Sequence, residues 1–202
     1  MARTDVQLML DVKAGDRASF DLLLQKYRSP LVNFLFRMVR DPATAEDLAQ
    51  EVFLRVYRAR KQYSPSAKFT TWLFRIATNL ALNSVRDNRH RRMETSLDAP
   101  VGEDQAPPEL PARELRIDEH MVEQDRARFI RRAIGALPEK QRVAVLLHKY
   151  EEMDYGEIAK ILECSESALK SLLFRAYETL RVELAPLVAQ PVAPRAGEGR
   201  PS

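Results

Sequence analysis

The chain has 202 residues with a formal charge of +3 and a pI of about 9.1, enough for one or two small domains. Its single cysteine, Cys164, excludes a disulfide framework and a thiolate metal cluster, and His90, His120 and His148 stand too far apart to suggest a metal site. No apolar run has the length of a membrane span and the N-terminus lacks a signal-peptide pattern, so a soluble, cytoplasmic, cofactor-free protein without membrane insertion is expected.

The first segment, 5–14, has a short helical pattern stopped by Gly15. Asp16 is placed to cap a longer helix in which Phe20, Leu23, Leu24, Tyr27, Leu31, Leu35 and Met38 recur at helical spacing. Pro30 falls inside it, and the stripe continues in phase past it, so a kink is expected and not a break. Asp41-Pro42 reads as a third helix start: Asp accepts orphan amide bonds, and Pro at the first helical position loses nothing by lacking an N–H. Over about 42–62 this helix offers Leu48, Val52, Val56 and Ala45 to a core. Its other side begins acidic (Glu46, Asp47, Glu51) and ends basic (Arg55, Arg58, Arg60, Lys61), which suits the helix dipole. Gln50, Phe53 and Leu54 lie among these charges, a mix that fits either a solvated amphipathic face or a surface receiving a protein.

A loop at 63–67 leads into the helical pattern 69–92, which carries two stripes. Phe69, Leu73, Ile76, Ala77 and Leu80 would face a core. Trp72, Arg75, Asn79, Asn83 and Arg86 share a narrow adjoining arc, and an Arg-rich end follows. Arg neutralises phosphate, Asn can pair twice with a base edge, and an aromatic ring can stack on an unpaired base. The alternative is a core helix with a basic wet face.

From 93 to 116 the periodicity fails. The stretch 94–111 holds five acids and no Lys or Arg, with Pro100, Pro107, Pro108 and Pro111 interspersed, the composition of a flexible acidic tether. Its roughly 24 residues reach at most about 80 Å. Two domains joined by it can therefore touch one duplex about two turns apart, at about 34 Å per turn.

In the second half, Met121, Phe129, Ile130, Ala133, Ile134 and Leu137 mark a long amphipathic helix. A helix opened at Pro138-Glu139 turns Val143, Leu146, Leu147 and Tyr150 inward, and Asp154-Tyr-Gly-Glu157 resembles a capping box ahead of Ile158, Ala159, Ile161 and Leu162. After a turn at 163–165, Ser165 caps a last helix of about 166–184, with Leu169, Leu172, Leu173, Ala176, Leu180 and Leu184 inward. A short helix, a tight turn and a longer helix make a helix-turn-helix. Lys170, Ser171, Phe174 and Arg175 share the outward face where such a helix meets base edges and phosphates. Cys164 reads as a small residue buried at the turn, and 186–202 as a Pro/Gly-rich tail expected to be disordered.

Taken together, DLAQEVFLRVYRA (47–59), FTTWLFRIATN (69–79), ALPEKQRVAVLL (136–147), YGEIAKIL (155–162) and SALKSLLFRA (167–176) resemble, in order, a bacterial sigma factor of the small extracytoplasmic-function (ECF) group of the sigma-70 family. The resemblance covers about 5–185. It implies an all-α protein of two small helical domains: region 2 at 1–92, a flexible acidic linker at 93–116, region 4 with its helix-turn-helix at 117–185, and the tail. The implied function is a transcription initiation factor that binds core RNA polymerase through the β′ clamp helices and the β flap and directs it to promoter DNA.

Carried over by position, Asp47, Gln50, Glu51 and Leu54 would meet the polymerase. Tyr63, Lys68, Trp72, Arg75, Asn79, Asn83 and Arg86 would read and melt the −10 element. Lys170, Ser171, Phe174 and Arg175 would read the −35 element as duplex. An anti-sigma factor wedged between the domains is the implied regulator. This sequence departs from the family where Asn83 replaces a frequent Asp and where Leu172 and Tyr177 replace common arginines, which implies weaker phosphate contact at −35. The alternative is a stand-alone helix-turn-helix regulator that binds duplex DNA as a dimer. An enzyme is disfavoured by the lack of a Gly-rich phosphate loop, metal-ligand spacing or a nucleophile with its base.

Overall fold

The computed structural model describes the backbone over residues 3–95 and 117–189, and side chains over 3–89, 91 and 124–187. The expectations for 96–116, for the tail from 190 and for the side chain of Met121 lie outside the described residues.

Helix α1 (Asp5–Ala14) starts where Thr4 Oγ1 accepts the Gln7 N–H at 3.2 Å, and ends at Gly15, whose φ of 110° is open to a residue without a Cβ. Asp16 caps α2 (Arg17–Val39), which runs through Pro30 without interruption. Leu23, Tyr27, Leu31, Phe34, Leu35 and Met38 are buried on both sides of that proline, so packing offsets the one ladder bond it removes. Asp41 Oδ2 accepts the Thr44 N–H at 2.7 Å to open α3 (Pro42–Arg58). The last four residues expected in that helix, Ala59–Gln62, tighten into a 3-10 turn, a common ending for a helix facing a loop. Helix α4 (Phe69–Thr95) completes the first bundle and runs three residues past the expected boundary of the domain.

The core of this bundle exceeds the stripes read from sequence. Phe53, placed on the mixed face of α3, is buried at 7 % exposure and meets Phe20 edge-on with ring centroids 6.3 Å apart. On α4, Thr71, Phe74, Thr78 and Ala81 are buried besides Phe69, Leu73, Ala77 and Leu80, Ile76 is half-buried, and Phe74 stands edge-on to Phe34 at 5.4 Å. The reason is geometric: α4 packs against α2 and α3 and also against a helix of the second half, so two sides of it are covered.

The second bundle consists of α5 (Ile117–Ala136), α6 (Glu139–Lys149), α7 (Tyr155–Leu162) and α8 (Glu166–Ala189). Its core is Val143, Leu146, Leu147, Ile158, Ile161, Leu169, Leu173 and Ala176, as the periodicity predicts. Tyr150 and Phe129, expected inward, are 42 % and 36 % exposed. Tyr150 lies past the end of α6, with the Arg37 guanidinium 4.1 Å from its ring centroid. The capping box is complete: Asp154 Oδ1 accepts the Glu157 N–H at 2.8 Å, and Glu157 Oε2 accepts the Asp154 N–H at 3.3 Å. Helix α8 continues through Pro186 to Ala189, beyond the expected stop, because a proline there forfeits only a bond to the carbonyl of exposed Val182.

The two bundles touch directly. Helix α4 packs on α7, and α2 on α5 and α6. At the second contact Arg142 Nη1 donates to the Met38 carbonyl at 3.0 Å, while its Nη2 donates to Gly135 and Leu137 carbonyls at 2.8 and 3.2 Å. Arg40 Nη2 donates to the carbonyls of Arg131 and Arg132 at 3.4 and 3.3 Å. Arg142 thus satisfies carbonyls at helix ends that would otherwise lack ladder partners, while Arg40 adds a donor to carbonyls near the end of α5.

Candidate nucleic-acid and protein interfaces

Helical spacing places Trp72, Arg75, Asn79, Asn83 and Arg86 along one side of α4. Arg75, Asn79, Asn83 and Arg86 are exposed, and Trp72 is half-buried. Two aromatics hold the indole in place: Tyr63 at 5.1 Å and Phe69 at 6.2 Å between ring centroids. Tyr63 itself is 3 % exposed, its hydroxyl without a protein partner and its carbonyl accepting from Lys13 Nζ at 2.7 Å. Burial raises the Tyr63 pKa above its ordinary value. Here Tyr63 buttresses Trp72 and does not present a free ring. Around them is a cavity of about 390 Å³ lined by Tyr63, Thr71, Trp72, Arg75 and Lys160.

Lys160 belongs to α7, and α7 supplies the partners of this end of α4. Glu157, 9 % exposed, accepts from Thr71 Oγ1 at 3.0 Å on one carboxylate oxygen and from Lys68 Nζ at 3.1 Å on the other. Asp154 stands 3.7 Å from Lys68, and Glu163 pairs with Arg75. The hydrogen bond and charge of Glu157 hold the Lys68 pKa above its usual value. Sequence reading missed Thr71, Glu157 and Lys160 as residues of this face. No local pattern marks them, since the pairing joins residues 86 to 89 apart.

On α8 the structure brings Lys170, Ser171, Phe174 and Arg175 together as an exposed patch, Phe174 at 68 % exposure. Ser171 Oγ donates to the Ser167 carbonyl at 3.1 Å, a bond that leaves the oxygen free to accept. Leu172 is half-buried at the margin of the patch. Tyr177 faces away from it: its hydroxyl lies 2.7 Å from His148 Nδ1, and burial raises its pKa. A tyrosine at 177 therefore serves the packing of α6 on α8.

On α3, Asp47, Gln50 and Leu54 are exposed and Glu51 is half-buried. Arg55 Nε donates to Glu51 at 2.7 Å, and that bond keeps the Glu51 carboxyl below its ordinary pKa. Leu54, 48 % exposed, borders a largely apolar cavity of about 520 Å³ between α2 and α3 that Phe20, Leu24, Phe53 and Tyr57 also line. The rim of this trough carries both signs, Arg17 and Arg28 beside Asp21 and Glu46, so the apolar lining is what suits a partner, one with apolar side chains. Among the described residues, no group of three His, Cys, Asp or Glu is arranged to hold a metal, and no helix is long and apolar enough to cross a membrane.

A helical bundle with an aromatic, asparagine and arginine face, tied to a helix-turn-helix with its own polar and basic patch, defines a two-headed DNA-recognition factor. The family description "Sigma-70 region 2" matches residues 23–91, and "Sigma-70, region 4" matches 129–180. The chain is 32 % identical over 190 residues to the RNA polymerase sigma-H factor of Pseudomonas aeruginosa, covering 92 % of this chain and 96 % of that one. It is 30 % identical over 185 residues to the ECF RNA polymerase sigma-E factor of Escherichia coli, with the same coverage. In fold it is similar to CnrH, solved in complex with the cytosolic domain of CnrY (TM-score 0.65, 21 % identity, 89 % of this chain and 96 % of that one). It is also similar to the sigma factor RpoE solved with the anti-sigma factor NepR from Bartonella quintana (TM-score 0.64, 22 % identity, 82 % and 96 %). The chain belongs to the sigma-70 family of RNA polymerase sigma factors, in its extracytoplasmic-function group.

Proposed function

We propose that this protein is the dissociable specificity subunit of a bacterial RNA polymerase and that its three surfaces divide the work. The trough and acids of α3, with Asp47, Gln50, Glu51 and Leu54, dock on the core enzyme's β′ clamp helices, and the second domain engages the β flap. The α4 face, with Trp72, Arg75, Asn79, Asn83 and Arg86 and the loop residue Lys68, unstacks and holds the non-template strand of the −10 element, and Tyr63 braces the indole from behind. Extruding a base costs a few kcal/mol, which stacking on the indole and phosphate neutralisation by arginine offset. Lys170, Ser171, Phe174 and Arg175 read the −35 element in the major groove, with phosphate contact from Lys170 and Arg175 and apolar contact from Phe174.

The observation that carries this reading is the alignment of Trp72, Arg75 and Asn79 on one side of α4, with the indole braced by Tyr63 and Phe69. A duplex reader has no use for such a stacking platform. The polymerase supplies the chemistry, so this chain is not an enzyme and needs no cofactor, and its place is the cytoplasm. The resemblance to a sigma factor solved with the anti-sigma factor NepR, and to CnrH solved with the cytosolic domain of CnrY, supports control by an anti-sigma factor. The domain division follows the same logic: 1–92 for polymerase and −10 binding, 117–185 for −35 binding.

The test is binding to purified core RNA polymerase, followed by run-off transcription from a genomic promoter library. A one-to-one complex that initiates at defined start sites supports the proposal. Failure to associate with core, together with specific duplex binding by the free chain, replaces it with the stand-alone regulator.

A further inference from the structure

We propose that the strand held at the α4 face continues past the cavity around Trp72 onto the 3-10 turn Ala59–Gln62, where Lys61 takes a phosphate of the non-template strand on the downstream side of the −10 element. The proposal rests on the assignment of α4 to the −10 strand and adds a contact that lies outside that helix.

The charge pattern reaches further than α4. Between Glu51 and Asp87 the chain has no Asp or Glu, while seven of the residues in that span are Lys or Arg. A carboxylate beside a phosphate backbone is repelled, so an acid-free run over the end of α3, the turn, the loop and α4 suits a longer strand track than α4 alone supplies. Lys68, Arg75 and Arg86 belong to the face already assigned. The other four cations, Arg55, Arg58, Arg60 and Lys61, precede the cavity in the chain.

Three of those four are engaged elsewhere. Arg55 Nε donates to Glu51 at 2.7 Å. The Arg60 guanidinium lies 4.1 Å from the Tyr57 ring centroid and donates to the Tyr57 carbonyl at 2.8 Å. Arg58 stands one helical turn past Leu54, beside the residues given to polymerase docking, where its charge acts on Glu51. Lys61 is exposed and has no ion pair or hydrogen bond among the described residues. Its neighbour Gln62 lines the cavity on the loop side, while Trp72 and Arg75 line it from α4. Consecutive Cα atoms stand about 3.8 Å apart, so a lysine at 61 is within reach of the loop-side rim. Lys13 Nζ donates to the Tyr63 carbonyl at 2.7 Å and holds the loop in that position. A base seated in the cavity thus has a cation on each side for its two flanking phosphates. Polarity follows from the connections: the chain leaves the far end of α4 at Thr95 to reach the domain given to the −35 element, so that end faces upstream. The turn that carries Lys61 lies at the other end of the track and faces downstream.

The test uses the full chain assembled with core RNA polymerase on a promoter recovered by run-off transcription and prepared with its −10 element already unpaired, so that melting does not enter. Lys61→Ala, a change at an exposed side chain, is compared with wild type on non-template strands in which one phosphate at a time is replaced by an uncharged methylphosphonate. The expected result is one linkage downstream of the −10 element at which the replacement weakens wild type about fivefold at about 0.1 M salt, the weight of one single-strand phosphate contact. Lys61→Ala should weaken binding of the unmodified strand by the same factor, lose nothing further at that linkage, and lower the salt slope by about 0.7. Its affinity for core enzyme should equal that of wild type. Wild-type affinity of Lys61→Ala for the unmodified strand, a methylphosphonate penalty equal in both proteins, a coupled linkage upstream of the −10 element, or a loss of core affinity overturns the proposal. Failure of the α4 assignment reads differently: Asn79→Ala would then hold the unpaired strand as wild type does, and both readings fall. Binding that depends on Asn79 but not on Lys61 discards the downstream contact alone.

Discussion

Thr71 Oγ1 donates a 3.0 Å hydrogen bond to Glu157 Oε1 across 86 residues of sequence, and both side chains are buried by the contact they make. A hydrogen bond to a buried carboxylate contributes about 1.5–3 kcal/mol. The exposed ion pairs around it add little in water. The joint between the two domains thus combines one buried bond with exposed pairs of small, salt-dependent weight. Because its ionic part is screened by salt, the radius of gyration of the wild-type chain should rise between 0.05 and 0.5 M NaCl, concentrations that bracket a Debye length of about 10 Å. Scattering over a salt series checks this, and a radius independent of salt would assign the joint to the neutral contacts alone.

Asn79 is exposed midway along α4 and has no part in the core. Asn79→Ala should therefore abolish most promoter melting, read by permanganate reactivity of unpaired thymines, and leave affinity for core polymerase within about twofold of wild type, below the 1.4 kcal/mol of a tenfold change. Equal loss of both activities would contradict the role given to Asn79.

Charge reversal at Asp47 or Glu51 acts on the other surface. Asp47→Lys should weaken binding to core polymerase about tenfold or more, a typical cost for a misplaced interface charge. Duplex binding through α8 should not change in the same full-length protein. Competition with wild type for core enzyme measures the first effect, and gel shift the second.

Two phenylalanines in helical faces of similar sequence should behave oppositely. Phe74 is 2 % exposed and packed edge-on to Phe34, so Phe74→Ala should cost about 3–5 kcal/mol of stability by cavity formation. Phe174 is 68 % exposed, so Phe174→Ala should leave the thermal midpoint unchanged and lower −35 duplex affinity. Urea denaturation and duplex anisotropy on both variants separate the cases.

Burial pushes the Glu151 carboxyl up to about 7, against the pull of nearby Arg37. The folded pKa is raised above the unfolded value of 4.5, so the fold prefers the neutral acid. The penalty is absent below the unfolded value, grows as pH rises through the window between the two, and is complete above about 7. Glu151→Gln should then raise the thermal midpoint by a few degrees at pH 8 and progressively less toward pH 5, as calorimetry at the two pH values would record.

Sequence alone determined the helices, their order and most of their caps. Asp16, Asp41, Asp154 and Ser165 mark helix starts because their side chains bond amides two or three residues away, and a pattern that short is visible in one dimension. The exposed stripes of α4 and α8 were legible for the same reason, since residues three and four apart share a helical face. Only the tertiary structure decided which stripes are covered twice. Phe53, Phe74 and Thr71 are buried by helices distant in sequence, and Tyr63 sits behind Trp72 instead of beside it. The pairing of Lys68, Thr71 and Arg75 with Glu157 and Glu163 depends on two domains meeting across a tether. Charged surface residues carry no mark of which distant opposite charge they will find, so that joint exists in three dimensions and has no trace in the periodicity.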